Sequence, residues 1–85
     1  MATQHKTMIL IVDDDPSQCK TMSMILRRKG YAVTTASSGL AAIDIVRHTP
    51  FGMIFMDIKM PVMDGVETYK RIKQIRPEAV VMTMT

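Results

Sequence analysis

At 85 residues the chain is long enough for one small domain and no more. A net charge of +3 and a hydrophobic content of 47% are those of an ordinary globular domain, and no apolar run is long enough to span a bilayer. Residues Met1 to Lys6 lack the apolar core of a signal peptide, and the single cysteine, Cys19, excludes an internal disulfide, so the expectation is a soluble, cytoplasmic domain that makes no membrane contact.

The apolar and polar residues alternate between strand-length and helix-length patterns, which argues for a parallel α/β sheet. The run Met8 to Val12 predicts strand one. Asp15 is placed to cap the helix that follows, with Pro16 in its first turn. That helix carries Cys19, Met22, Ile25 and Leu26 on one face and stops at Gly30. Strand two is expected over about Tyr31 to Ala36. Ser38 can cap a second helix, which bears Leu40, Ile43 and Val46 and ends before Pro50. Strand three is expected over Met53 to Met56. Helix three runs from about Gly65 to Arg76, with Val66, Tyr69 and Ile72 inward and Pro77 marking its end. Strand four covers Ala79 to about Thr85. The connections are short, as in βαβ units.

The charges read as solvated helix faces. Arg27, Arg28 and Lys29 fall at a helix C-terminus, where cations oppose the negative end of the dipole. Lys70, Arg71, Lys73 and Arg76 lie in the second half of helix three. No aromatic residues accompany them, so direct nucleic-acid binding is not expected. Cys19 reads as a small buried hydrophobe and the ten methionines mainly as core filler. His5 and His48 read as surface residues without a metal cluster.

The chemistry concentrates at two strand ends. Strand one runs into Asp13, Asp14 and Asp15, and strand three runs into Asp57. If the two strands are neighbours, their C-terminal ends bring several carboxylates into one pocket, at the edge where open α/β sheets bind ligands. Clustered carboxylates repel, so such a pocket calls for a divalent cation or for protons. An aspartate there can act as a nucleophile toward phosphorus, a reaction that needs in-line positioning and charge neutralisation. Asp13 and Asp14 suit Mg²⁺, and Asp57 suits both the metal and the phosphoryl group. Thr85 and Thr83 are candidate hydroxyls near the same edge. Asp15 reads as a cap and Asp64 as a turn residue.

Three segments carry a resemblance: Ile9-Leu10-Ile11-Val12-Asp13-Asp14-Asp15-Pro16, Met56-Asp57-Ile58-Lys59-Met60-Pro61-Val62-Met63-Asp64-Gly65, and Val80-Val81-Met82-Thr83-Met84-Thr85. Together they make nearly the whole chain resemble the receiver domain of two-component response regulators. The resemblance implies a flavodoxin-like, doubly wound parallel sheet in the order 2-1-3-4. It implies Asp57 as phosphoacceptor from a phosphohistidine, with a sensor histidine kinase or phosphotransfer protein as partner. Asp14 and Asp57 would bind Mg²⁺ directly, Asp13 directly or through water, and the backbone carbonyl of Lys59 would complete the set. Thr85 would be the switch hydroxyl, with Thr83 a strand residue.

Against the family pattern, residues 1–85 read as a single partial receiver domain with a flexible stretch at 1–7. The family's fifth strand, with its lysine and its aromatic residue, and its last two helices are missing from the match. Helix one alone would then cover one sheet face and strand four would be an apolar edge, so self-association through that edge and face is expected. Two other functions compete: a module that assembles without phosphorylation, and, more remotely, a haloacid-dehalogenase-type phosphatase with Asp13 as nucleophile and Asp15 as general acid.

Overall fold

The computed structural model describes residues 7–57 and 65–84. A continuous apolar run suits a strand covered on both faces, because neither side of it meets water. Such a run forms β1 (Met8–Val12), of which Ile9 to Val12 are buried. It sits inside a four-stranded sheet of order β2-β1-β3-β4, with β2 (Ala32–Ala36), β3 (Met53–Asp57) and β4 (Val81–Met84). All three pairings are parallel. The order is the one expected.

The helices begin where the sequence places caps. Asp15 accepts the Ser17 N–H at 2.9 Å ahead of α1 (Pro16–Arg28). Ser38 Oγ accepts the Ala41 N–H at 3.1 Å ahead of α2 (Gly39–His48). Each bond satisfies a donor that the first helical turn leaves unpaired. Past the end of α1, Gly30 takes φ of 97°, the left-handed region open to glycine at little cost. The extended Thr49 ends α2 just before Pro50, whose ring disfavours helical geometry in the preceding residue. The third helix, α3, spans Gly65–Ile75. Replacing Asp15 or Ser38 by alanine is expected to cost about 1 kcal/mol each in urea unfolding, with the fold unchanged.

The sheet is wrapped on both faces. Leu10, Val12, Ile54 and Met56 turn one way and pack with Ala42, Ile43 and Val46 of α2 and Ile72 of α3. Ile9 and Ile11 turn the other way and meet Cys19, Met22 and Leu26 of α1. Strand alternation produces this division, since successive side chains point to opposite faces.

Several expectations about the helix faces are corrected. Ile25, Leu40, Val66 and Tyr69 were expected inward, but all four are 40–55% exposed. The buried stripes run instead through Cys19, Met22, Ser23 and Leu26, through Gly39, Ala42, Ile43 and Val46, and through Thr68, Ile72 and Ile75. A helix on a sheet buries a stripe of limited width, and each residue advances by about 100°. The four exposed residues lie roughly a quarter turn or more from their stripe. Small side chains such as Ala42 and Thr68 are fully buried along these stripes. The methionine expectation also fails in part. Among the described residues only Met56 is fully buried, Met22 and Met53 pack half-buried on the α1 side, and Met8, Met24 and Met82 are exposed.

Boundaries shift slightly. Tyr31 precedes β2, and β4 starts at Val81 although Ile54 N–H already donates to Val80 O at 2.9 Å. Helix α3 ends one residue early, at Ile75, and β3 extends one residue further, to Asp57. Thr7 belongs to the ladder, accepting the Ala32 N–H at 3.0 Å. The remainder of the stretch expected to be flexible, residues 1–6, lies outside the described residues. A Cβ at Gly52 would come within 2.8 Å of the Thr7 methyl.

Candidate functional site

Register decides what meets at the sheet edge. Val12 pairs with Met56, so the next residues along two neighbouring strands, Asp13 and Asp57, arrive level with each other. Asp13 continues the ladder after β1, its N–H donating to Ala36 O at 3.0 Å. By alternation both aspartates share the parity of the residues facing α1. Asp14 is the next residue in the chain. One carboxylate oxygen each from Asp13, Asp14 and Asp57 lie within 4.8 Å of one another. This is the single group of metal-ligating side chains among the described residues, and its members are the ones the sequence points to.

The three carboxylates sit at different depths. Asp13 is 2% exposed, Asp57 is half-buried and Asp14 is exposed. Burial raises the Asp13 carboxyl above its ordinary value of 3.8; the Asp15 N–H bonded to it at 2.9 Å opposes the rise, and the charges of Asp57, Asp14 and Asp15 add to it. Asp15 itself is occupied as the α1 cap, as expected, and is not a member of the cluster.

Beneath the cluster, Cys19 donates its S–H to the Asp13 carbonyl at 3.3 Å. Desolvation pushes its thiol upward, and the Asp13 and Asp15 charges push it further, so Cys19 is a buried structural group. No sequence signal marks this contact with the site's backbone, because the two residues meet only through the first turn of α1.

The donor set fits a small hard cation. Hard divalent ions take oxygen ligands, and two oxygens on one Mg²⁺ are at most about 4.2 Å apart at bond lengths of about 2.1 Å. A cluster spread over no more than 4.8 Å is close to that span. Among the described residues no cation pairs with the buried Asp13, which is the electrostatic condition for metal affinity.

The raised Asp13 carboxyl has a consequence for stability. The folded state holds this proton where the unfolded chain releases it. Its contribution to stability is therefore complete below about pH 3.8 and is lost as pH rises through the higher folded value. Asp13→Asn is expected to melt at a higher temperature than the parent chain at neutral pH without metal. The gap should close as pH falls towards the ordinary carboxylate range. Equal melting temperatures across that range would remove the charge-repulsion account.

Two expected site residues, Lys59 and Thr85, lie outside the described residues, as do Met60, Pro61 and Asp64. Thr83 is an exposed β4 residue paired in register with Met56, and Met84 is the residue level with Asp57. Thr83 is thus a strand residue, as expected.

The family model for the response regulator receiver domain matches residues 9–85. The transcriptional regulatory protein ZraR of Klebsiella oxytoca is 46% identical over 77 residues, which are 91% of this chain and 17% of that protein. The chain therefore spans about a sixth of the length of this curated relative. Among solved structures, chemotaxis protein CheY4 of Vibrio cholerae superposes with a TM-score of 0.88 at 30% identity, covering 93% of this chain and 68% of that one. The response regulator TrrA of Thermotoga maritima, solved in complex with Mg(2+)-BeF, superposes with a TM-score of 0.84 at 28% identity, covering 88% of this chain and 65% of that one.

Proposed function

Since this chain belongs to the response regulator receiver domain family, we propose that it is a phosphoacceptor, taking a phosphoryl group on Asp57 from a phosphohistidine of a sensor kinase or phosphotransfer protein in the cytoplasm. The observation that carries this reading is the meeting of Asp13, Asp14 and Asp57 at one strand edge. A carboxylate oxygen of Asp57 attacks phosphorus in line, forming a P–O bond as the P–N bond to the donor imidazole breaks. The product is an acyl phosphate, and the imidazole leaves as its neutral form after taking a proton.

Asp13 and Asp14, with Asp57 and the backbone carbonyl of Lys59, are the residues that would hold Mg²⁺. When bound, the ion supplies neutralisation of the oxygens carrying the transferred charge. Asp13, being buried, fixes the strand-edge geometry of the cluster; Asp14 faces solvent, from which a hydrated cation arrives. Thr85 is proposed as the hydroxyl that bonds the phosphoryl group and couples modification to conformation. The presence of Mg(2+)-BeF in the related TrrA structure supports this ligand chemistry. The test is intact-mass analysis after incubation with a small acyl-phosphate donor, with and without Mg²⁺. One metal-dependent phosphoryl adduct is expected; an adduct of equal yield in a chelator would overturn the metal assignment, and no adduct would overturn the acceptor assignment.

A second proposal concerns assembly. Strand β4 is at the edge of the sheet, and Val80 and Met82 are each about half exposed along it. Unpaired edge N–H and C=O groups beside exposed apolar side chains template the pairing of another strand. The 85-residue chain is expected to self-associate through β4 and the adjoining face that bears the half-buried Met53 and Phe55. Sedimentation should show mass rising with concentration, and Met82→Lys should lower it. A concentration-independent monomer would overturn the proposal.

A further inference from the structure

Arg27 lies in the last turn of α1, where the sequence alone marks it as a cation opposing the helix dipole. The fold gives it a second contact. Its Nη2 donates to the Val33 carbonyl at 3.0 Å. Val33 belongs to β2, the strand at one edge of the sheet. The ladder decides which backbone groups of β2 remain open. Ala32 N–H donates to Thr7 O at 3.0 Å and Asp13 N–H donates to Ala36 O at 3.0 Å, so Ala32 and Ala36 turn their backbone groups to β1. In a parallel ladder the N–H and C=O of one residue point to the same side, and successive residues point to opposite sides. Thr34 therefore also faces β1, while Val33 and Thr35 present their groups to the open edge. The oxygen that Arg27 binds is one that an added strand would need.

We infer that Arg27 is a guard on the β2 edge: bonded to Val33 O, it bars a further strand from joining the sheet there. An incoming strand would lie about 4.8 Å from β2 and bring an N–H to the Val33 oxygen. The guanidinium already stands at hydrogen-bond distance from that oxygen. Strand addition thus requires Arg27 to give up its acceptor and leaves a charged side chain against the new backbone, which is how charged residues defend edges. The strand itself supplies no such defence. Its sequence Ala32-Val33-Thr34-Thr35-Ala36 holds three β-branched residues, no charge and no proline. The protection comes from the neighbouring helix, and it acts at the edge opposite β4, so it stands apart from association through β4.

The test is sedimentation of the whole 85-residue chain carrying Met82→Lys, which takes the β4 edge out of the comparison. In that background Arg27→Ala should associate at a concentration at least about tenfold lower than Arg28→Ala. The second variant removes the same charge one residue on, about 100° further round the helix. Amide exchange locates the contact. Val33 and Thr35 N–H should gain protection in the associated Arg27→Ala chain, while Thr34 N–H is protected in monomer and assembly alike. Thr35→Pro removes an edge donor and no ladder bond, so adding it to Arg27→Ala should restore the monomer. Equal association of the two arginine variants would mean an effect of net charge and would overturn the proposal. So would a monomeric Arg27→Ala chain, or association without protection at Val33 and Thr35. Melting curves verify that each variant folds, and Arg27→Gln, a good helix former with a shorter side chain, gives the same comparison if alanine lowers the Tm.

Discussion

Asp57→Asn is expected to abolish phosphoryl uptake altogether while leaving the fold intact. The substitution replaces an oxygen nucleophile by an amide of nearly the same shape, so loss of the adduct reports chemistry and not collapse. Removing Mg²⁺ with a chelator should slow uptake in the parent chain by at least about a hundredfold. Charge stabilisation by such an ion is worth several kcal/mol, and about 1.4 kcal/mol corresponds to a tenfold change in rate. The site of labelling also separates the competing chemistries. Peptide mapping should place the group on Asp57; a label on Asp13 would instead support the phosphatase reading, in which Asp13 attacks and Asp15 protonates the leaving group. The structure already commits the Asp15 carboxylate to the Ser17 N–H at 2.9 Å. Metal binding without an adduct would leave an assembly module as the surviving reading.

Leu10→Ala is expected to have the largest effect on stability, about 3–5 kcal/mol in urea unfolding. Leu10 is fully buried at the centre of β1, level with Thr34 on one neighbour and Ile54 on the other. A central strand paired on both sides leaves little freedom for the surroundings to close over a cavity. A domain of this length has a total stability of about 4–13 kcal/mol, at roughly 0.05–0.15 kcal/mol per residue. The variant should therefore lose a large share of its stability. Leu40→Ala is the informative comparison, because Leu40 is 55% exposed despite its apolar character. Its expected cost is within about 0.5 kcal/mol. Similar costs for the two leucines would contradict the placement of α2 on the sheet.

Bound Mg²⁺ and the Asp13 variant bear on the same balance from opposite sides. Both relieve repulsion around a buried carboxylate, the ion by adding charge and asparagine by removing it. Their stabilising effects should therefore overlap in a double comparison and not add.

The elements and the candidate acceptor were legible in the linear sequence because each rests on local rules. A run such as Ile9 to Val12 suits a strand covered on both faces. Asp15-Pro16 and Ser38 carry their own capping chemistry, and Gly30 marks a helix end by its backbone freedom. Asp57 announces itself by ending an apolar run, and the Asp13-Asp14 pair does the same one strand earlier. The strand order followed from the family resemblance, and the parallel register of Val12 with Met56 confirms it.

What tertiary structure decided was which residues of each helix face the sheet and how the charges are used. Hydrophobicity alone placed Ile25, Leu40, Val66 and Tyr69 inward, yet the buried stripes run through the smaller Ser23, Ala42 and Thr68. Lys73 and Arg76 looked like solvated charge in the sequence, and only the path from α3 into β4 brings the carbonyls of Pro77, Ala79 and Val46 within their reach. The contact of Cys19 with the Asp13 carbonyl and the depth difference among Asp13, Asp14 and Asp57 likewise depend on packing. Residue chemistry determined which groups can react; the meeting of strand ends and helix faces determined how deeply each is buried, and burial sets the strength of every charge in the site.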